Sequence, residues 1–204
     1  MGWTSYHVEP IWKKGKSVID RKAACDELFN CEASGGVGKY EVLKSAMVGS
    51  TYYAAVKRTV FATATEPEKT IVFAAVCLTR VDSKDHFNFS YKDMDETCGP
   101  CEYDCPASIL KLLTPTDSDW AKEWREKCWN NIEEKKFISA LNSLPIGTVI
   151  RFKAPYEASM YKEGDEVILT KKTRSDGKSS YWVNERYFYS LSFIGKDYDI
   201  VFRP

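Results

Sequence analysis

The sequence predicts an α+β protein in which an antiparallel sheet covered by helices is followed by a small Src-homology-3-like β-barrel. Strand-like runs between residues 40 and 91, followed by helical spacing from residue 106 to 144, indicate the first part. Short strand patterns separated by turn residues return after residue 147, which indicates the barrel. We therefore predict two domains, residues 1–144 and 145–204.

The first domain is predicted to begin with a short helix and an antiparallel meander. Asp20 can cap a helix over residues 20–30, because its carboxylate can accept a hydrogen bond from a free backbone N–H. Residues 70–81 are mostly apolar in both alternating sets, which predicts a central strand covered on both faces. The remaining strands are predicted at residues 40–48, 51–63 and 86–91, with the first two joined near Gly49.

Two helices are predicted to complete this domain. Pro106 suits the first turn of a helix over residues 106–113, because proline lacks only an N–H that would have no intrahelical partner there. Thr116 is predicted to cap a longer helix that ends before Leu144. Four residues at every fourth position should dock this longer helix on the sheet: Trp120, Trp124, Cys128 and Ile132.

The second domain is predicted from four short strands and one turn. The turn Ser175-Asp176-Gly177 is typical of a hairpin. The predicted strands cover residues 148–153, 166–173, 178–183 and 199–202.

Charge and hydrophobicity exclude several classes of protein. The chain has 204 residues and no net charge, because 29 basic residues balance 29 acidic ones. A general polyanion binder would carry excess positive charge, and a nucleic-acid mimic excess negative charge. Hydrophobic residues make up 44% of the chain, which is enough to form a core and argues against disorder.

The sequence indicates a cytoplasmic location. The longest apolar stretch, residues 71–78, is far too short to span a bilayer, and the N-terminus lacks the pattern of a signal peptide. Seven cysteines is an odd number for a secreted disulfide scaffold, so we expect mostly reduced thiols. We expect no membrane contact, and a monomer or a small homo-oligomer.

The strongest short motif is Cys98-Gly99-Pro100-Cys101, which resembles the active-site tetrapeptide of thioredoxin. Cysteines at this spacing can form a small disulfide ring. The context argues against a thioredoxin fold, because no buried strand leads into the motif and residues 106–144 have a helical pattern. A tight turn is the simpler interpretation, since Gly-Pro is typical of turns.

Metal binding is a second interpretation of the same region. Cys98, Cys101 and Cys105 could hold zinc, with His86 or Cys128 as the fourth ligand. Cys105 stands at a predicted helix start, so we also expect it to have a lowered pKa and to be the most reactive thiol. Apart from zinc, the sequence implies no cofactor.

The second predicted domain contains a local basic feature beside aromatic residues. Basic groups next to aromatic rings can hold phosphates and stack bases, so this segment is a candidate surface for nucleic acid or another partner. Its candidate residues are Lys171, Lys172, Arg174, Lys178 and Trp182.

Longer runs of sequence resemble a family encoded by phages and mobile elements of gut bacteria. These runs begin with MGWTSY at residues 1–6 and continue at residues 48–56, 87–96 and 105–125, so that the resemblance extends to about residue 153. It implies a genomic setting, that of an accessory protein, but no activity and no functional residues.

The sequence therefore predicts a non-enzymatic binding or regulatory protein with an unknown protein or nucleic-acid partner. Every candidate catalytic group lacks the neighbours that its chemistry requires. The alternatives are a zinc-binding or thiol–disulfide protein that uses Cys98, Cys101 and Cys105, and a nucleic-acid-binding protein that uses the barrel.

Overall fold

The structure, a computed structural model, describes residues 3–8, 11–13, 16–81, 88–153, 163–173, 179–183 and 198–204. The packing of the chain divides it into two compact units, Met1–Asn131 and Ile132–Pro204. Antiparallel sheets and several helices make the protein α+β, as the sequence predicts. The predicted boundary near residue 145 stays a prediction.

The N-terminal unit is built on a five-stranded antiparallel sheet with strand order β1-β7-β6-β5-β4. A separate two-stranded hairpin, β2-β3, and a helix, α1, precede the main meander. The elements are β1 (Thr4–His7), β2 (Ile11–Lys13), β3 (Lys16–Val18), α1 (Arg21–Leu28), β4 (Gly38–Val48), β5 (Thr51–Val60), β6 (Lys69–Val81) and β7 (Asn88–Asp95).

The structure contains the helix cap and the strand turn that the sequence predicts for α1 and the meander. The carboxylate of Asp20 accepts a hydrogen bond from the backbone N–H of Ala23 at 3.0 Å, so the predicted cap is confirmed. A two-residue turn joins β4 to β5, and Gly49 adopts the left-handed φ of 62° that favours glycine. β5, β6 and β7 are the inner strands, and β5 pairs with β6 from Thr51↔Leu78 to Val60↔Lys69.

Both faces of the inner strands are covered. Neighbouring residues on a strand point to opposite faces, yet Tyr52 and Tyr53 are both completely buried. Tyr52 belongs to a core that α1 covers with Ala24 and Cys25. On the other face, the hydroxyl of Tyr53 accepts a hydrogen bond from the backbone N–H of Asp104 at 3.2 Å, beside the segment that leads into the later helices. In β6 the neighbours Ala75 and Val76 are buried as well, so the predicted covering of this central strand on both faces is confirmed.

The outer edge of β4 is partly occupied by the segment before it. The backbone N–H of Tyr40 donates to the carbonyl of Cys31 at 2.8 Å. The N–H of Val42 donates to the side-chain oxygen of Asn30, also at 2.8 Å. The ladder between β4 and β5 then shifts between Val42 and Lys44, which is a β-bulge.

Two helices follow β7, namely α2 (Ala107–Leu110) and α3 (Asp119–Asn142). The hydroxyl of Ser118 accepts a hydrogen bond from the N–H of Ala121 at 3.4 Å, so Ser118 is the capping residue and the predicted cap at Thr116 is wrong. Thr116 instead accepts a hydrogen bond from the N–H of Ser118 at 3.2 Å. The predicted end of this helix before Leu144 is confirmed.

The C-terminal unit contains a four-stranded antiparallel sheet with strand order β10-β9-β8-β11. Its strands are β8 (Val149–Phe152), β9 (Glu166–Thr173), β10 (Ser179–Val183) and β11 (Tyr198–Phe202), close to the predicted ranges. Within the described ranges, no pairing between β10 and β11 closes this sheet into a barrel. The predicted turn at Ser175-Asp176-Gly177 lies outside the described residues.

No helix in the described part of the chain is long and apolar enough to cross a membrane.

Candidate functional site

The segment that joins β7 to α2 carries two exposed thiols. A short 3-10 turn covers Glu96–Cys98, and Gly99 follows it with a left-handed φ of 62°. Cys98 and Cys101 are both exposed. The predicted tight turn at this motif is therefore confirmed, and it presents both sulfur-bearing side chains on the protein surface.

The start of this turn is fixed by Asp95. Its Oδ1 atom accepts hydrogen bonds from the backbone N–H groups of Thr97 and Cys98, each at 3.0 Å. It also accepts a hydrogen bond from the hydroxyl of Thr97. A carboxylate that satisfies the free N–H groups of a turn holds the backbone in one conformation.

Helix α3 holds the segment on both sides of the thiols. Arg125 and Glu96, whose side chain is only 2% exposed, form a bidentate ion pair with N–O distances of 2.7 and 2.6 Å. Arg125 also donates to the carbonyl of Thr114 at 2.6 Å. After the thiols, the indole N–H of Trp124 donates to the carbonyl of Glu102 at 2.9 Å. The thiols are therefore carried by a fixed backbone.

Trp120 lies over the turn. A Cβ atom at Gly99 would come within 2.9 Å of the ring carbon Cε3 of Trp120, so the ring rests on the glycine backbone. The ring is nevertheless 65% exposed, and the prediction that Trp120 docks α3 on the sheet is wrong. Residues four apart drift by about 40° around a helix. For that reason Ala121, with Trp124 and Cys128, forms the buried stripe.

Cys105 lies in the core and not at the surface. Both Cys105 and Cys128 are completely buried. Burial raises the pKa of the Cys105 thiol, and it raises the pKa of Cys128 to about 12. The prediction that Cys105 is the most reactive thiol is therefore wrong. α2 has only four residues, so its dipole is too weak to offset the loss of hydration.

The predicted zinc ligands are distributed between surface and core. Cys98 and Cys101 are exposed, Cys105 is buried, and His86 lies outside the described residues. Among the residues that the structure describes, no three Cys, His, Asp or Glu side chains are grouped so that they could hold a metal ion. A zinc site completed by His86 stays a prediction.

A second candidate site is one face of the C-terminal sheet. Val149 lies opposite Ile168 on one neighbouring strand and opposite Phe202 on the other, so the three form a row across β9, β8 and β11. Ile168 is 54% exposed and Phe202 is 55% exposed. The opposite face is buried, as Ile150 and Leu169 show. We call the half-buried Val149 together with the exposed Ile168 and Phe202 the apolar row.

Paired charges border the apolar row. Arg151 lies opposite Glu166 and Asp199 in the strand register. Its guanidinium donates to Glu166 Oε1 at 2.5 and 3.0 Å, and Lys153 lies 2.7 Å from the carboxylate of Asp199. Each of these two cations is therefore matched by a carboxylate, and this border is locally neutral.

The predicted basic feature lies next along the same sheet. In the register of β9 and β10, Lys171 is opposite Tyr181, and Lys172 is opposite Ser180. Trp182 is opposite Thr170. The backbone thus brings three of the five predicted residues into one pair of strands, while Arg174 and Lys178 lie outside the described residues.

A pocket of about 490 Å³ lies at the connection between β5 and β6. That volume suits a small molecule. Its charged lining residues include Arg58 and Lys69 but also Glu66 and Glu68, and its apolar lining includes Phe61. Because the charges are of both signs, the pocket indicates no particular class of ligand.

Comparison with known proteins gives a partial match to a family model. A family model described as a domain of unknown function (DUF6927) matches residues 115–192, a segment that contains α3 and the strands β8, β9 and β10. No curated protein and no solved structure matches the chain. The similarity to this family covers the long helix and most of the C-terminal sheet, and it carries no activity.

Sequence reasoning missed the apolar row, although the sequence contains a signal for it. Three consecutive apolar residues, Val167 to Leu169, occur in β9, and another three, Ile200 to Phe202, occur in β11. Because side chains alternate between faces, such runs place apolar residues on both faces of a strand. The contact between Gly99 and Trp120 had no comparable signal, since it joins two elements distant in sequence.

Proposed function

We propose that the chain is a non-enzymatic binding protein, a cytoplasmic accessory factor of a phage or mobile element, that docks a protein partner on the apolar row. The observation that supports this most is the exposure of Ile168 and Phe202 on a sheet whose other face is buried. Single exposed apolar residues are ordinary, but adjacent ones on a fixed surface are typical of interaction sites.

The surroundings of the apolar row favour a neutral, apolar partner surface. Protein interfaces commonly have an apolar centre and a polar rim. The rim here contains Arg151 and Lys153, and both are already paired with carboxylates. A nucleic acid needs cations that are free to meet phosphates. The local charge therefore favours a protein with an apolar patch over a polyanion.

We also propose that the C-terminal sheet belongs to a small closed barrel of the Src-homology-3 type. Four short antiparallel strands in the order β10-β9-β8-β11 support this, because pairing of the two outer strands, with the tilt and stagger of a barrel, would close the sheet. Slow amide hydrogen exchange along both β10 and β11 would support closure. Rapid exchange on the outer edge of either strand would contradict it.

Site-specific photo-crosslinking tests the docking proposal. A photoreactive phenylalanine analogue replaces Ile168 in the full chain, produced in bacteria that carry the element. The control places it at Leu43, a residue of the other unit that is 42% exposed. We expect a protein adduct, identified by mass spectrometry, at position 168 and not at position 43. We expect Phe202→Asp to abolish that adduct, because it places a charge in the apolar row.

Other outcomes would change the proposal. Adducts at both positions, or at neither, would contradict docking on the apolar row. An adduct with a second copy of the chain would identify the partner as the protein itself. Binding of short DNA or RNA at low salt, lost in a Lys171→Ala/Lys172→Ala variant, would instead favour the nucleic-acid function that also involves Arg174, Lys178 and Trp182.

A further inference from the structure

We propose that Cys98 and Cys101 form a redox-active dithiol that exchanges electrons with accessible disulfides, of which glutathione disulfide is the simplest. This activity is separate from the docking function, because it uses the turn after β7 and not the C-terminal sheet. Both thiols lie on the protein surface, where a disulfide can reach them.

Exposure distinguishes these two cysteines from most of the others. Thiol–disulfide exchange requires that the attacking sulfur can reach its substrate. The third exposed cysteine, Cys31, has no cysteine within the next few residues that could complete a disulfide ring. The four remaining cysteines are buried: Cys25, Cys77, Cys105 and Cys128. The pair Cys98 and Cys101 thus combines access with short spacing.

The backbone on either side of the two thiols is held in place before any disulfide forms. Asp95 accepts hydrogen bonds at the start of the turn, and Arg125 forms an ion pair with Glu96. After the thiols, the indole of Trp124 donates a hydrogen bond to the carbonyl of Glu102. A rigid frame reduces the conformational entropy that ring closure would otherwise cost. Because the two cysteines are only three residues apart in sequence, a mixed disulfide on the first has the second thiol close by at high effective concentration.

Trp120 offers a substrate surface beside the thiols. Its ring rests on Gly99, between the two cysteines in sequence, and is 65% exposed. Aromatic rings make favourable contacts with sulfur. A glutathione or protein disulfide approaching Cys98 or Cys101 would meet this ring, and the contact would favour the encounter without changing the final equilibrium.

The reaction balances as a two-electron exchange. The thiolate of Cys98 or Cys101 attacks one sulfur of glutathione disulfide, forms a protein–glutathione bond and releases one glutathione thiolate. The second cysteine thiolate then attacks the bonded protein sulfur and releases the second glutathione. The protein loses two electrons and two protons, which appear as two molecules of reduced glutathione.

Mass spectrometry of the full chain in glutathione redox buffers tests this proposal. After free thiols are alkylated, we expect one protein species to carry two fewer alkyl groups than the fully reduced protein, with the bond mapped to the peptide containing Cys98 and Cys101. In a Cys31→Ser background, which removes the third exposed thiol, Cys98→Ser and Cys101→Ser should each stop at a single glutathione adduct at the remaining cysteine of the pair. Cys31→Ser, the matched exposed control, should leave bridge formation unchanged.

The rate of bridge formation tests whether Trp120 contributes to the site or whether the two thiols react without help from their surroundings. Trp120→Ala should slow bridge formation severalfold while leaving the final ratio of dithiol to disulfide unchanged. Equal rates in Trp120→Ala and the parent would overturn the role of the ring. Glutathione on both cysteines with no bridge, or zinc held by the two thiols in place of oxidation, would overturn the dithiol proposal. Unchanged circular dichroism shows that each variant is folded.

Discussion

The two larger antiparallel sheets that the structure describes differ in how many of their faces are covered. In the N-terminal sheet, Tyr52 and Tyr53 are both completely buried, because helix α1 covers one face and the segment around α2 and α3 covers the other. In the C-terminal sheet, Leu169 is buried but its neighbour Ile168 is 54% exposed. A run of consecutive apolar residues in a strand can therefore mean either of two things. Both faces of the strand are buried, or one face is buried and the other is a candidate interaction surface.

The largest expected effect on stability comes from helix α3, which packs on the N-terminal sheet. Trp124→Ala should lower the free energy of unfolding by about 4 kcal/mol, because it leaves a large cavity. It also removes the hydrogen bond to Glu102. Trp120→Ala, on the same helix but with a ring that is 65% exposed, should cost under about 1 kcal/mol. Urea unfolding of both variants measures the difference, and equal losses would contradict the assigned burial.

Loss of the ion pair between Arg125 and Glu96 should have the next largest effect on the free energy of unfolding. Arg125→Met should cost about 3 kcal/mol, because it leaves the carboxylate of Glu96 buried without its partner. The double variant Glu96→Gln/Arg125→Met removes that uncompensated charge and should recover part of the loss. A double variant less stable than Arg125→Met alone would argue against this explanation. Urea unfolding is again the measurement.

Neighbouring residues on β9 test the second sheet directly. Leu169→Ala should cost about 2.5 kcal/mol, because it opens a cavity in the buried face. Ile168→Ala should cost about 1 kcal/mol or less, because its side chain is already half in water. Similar losses at the two positions would mean that both faces of this sheet are covered, as in the N-terminal sheet.

A smaller effect should appear as a pH dependence of the α1-covered core. Burial alone would raise the pKa of Asp26, but hydrogen bonds from Lys22, Ser45 and Tyr52 outweigh burial and lower it below 3.8. Its contribution to stability is present above about pH 3.8 and is lost as the pH falls through the lowered pKa. Asp26→Asn should cost about 1 kcal/mol at neutral pH. It should also flatten the acid side of the stability curve.

Asp93, an exposed residue that meets this core at Cys77, should give the opposite slope. Partial desolvation beside the core raises its pKa, although the hydrogen bond from the thiol of Cys77 partly offsets this. The folded protein therefore holds this proton at a pH where the unfolded chain has released it, and stability falls as the pH rises through that window. Asp93→Asn should remove this fall. Urea unfolding between about pH 3 and pH 7 distinguishes the two carboxylates by the sign of their slopes.

Much of the fold could be predicted from local sequence patterns. The apolar run in β6, the glycine turn after β4 and the cap at Asp20 each act over a few residues, and the structure has all three. The N-terminal strands were missed. β1 is only four residues long and forms by pairing with β7, which is distant in sequence. Such a strand depends on its partner more than on its own residues.

The candidate sites were harder to predict because they depend on contacts between distant elements. The spacing of Cys98 and Cys101 identified a chemically suitable pair, but it could not distinguish these exposed thiols from the buried Cys105. The position of the segment that carries the exposed thiols depends on contacts with helix α3. These contacts involve Trp120, Trp124 and Arg125, none of which is near the motif in sequence.

The segment before β4 has a consequence for how the protein behaves at high concentration. Exposed strand edges can recruit edges from other molecules and lead to aggregation. Here Asn30 and Cys31 occupy hydrogen-bonding positions on the outer edge of β4, and the bulge before Lys44 interrupts the ladder beyond them. The side chain of Asn30 thereby disfavours polymerisation through this edge. Without its side-chain oxygen, the N–H of Val42 would be free to pair with a strand of a neighbouring molecule.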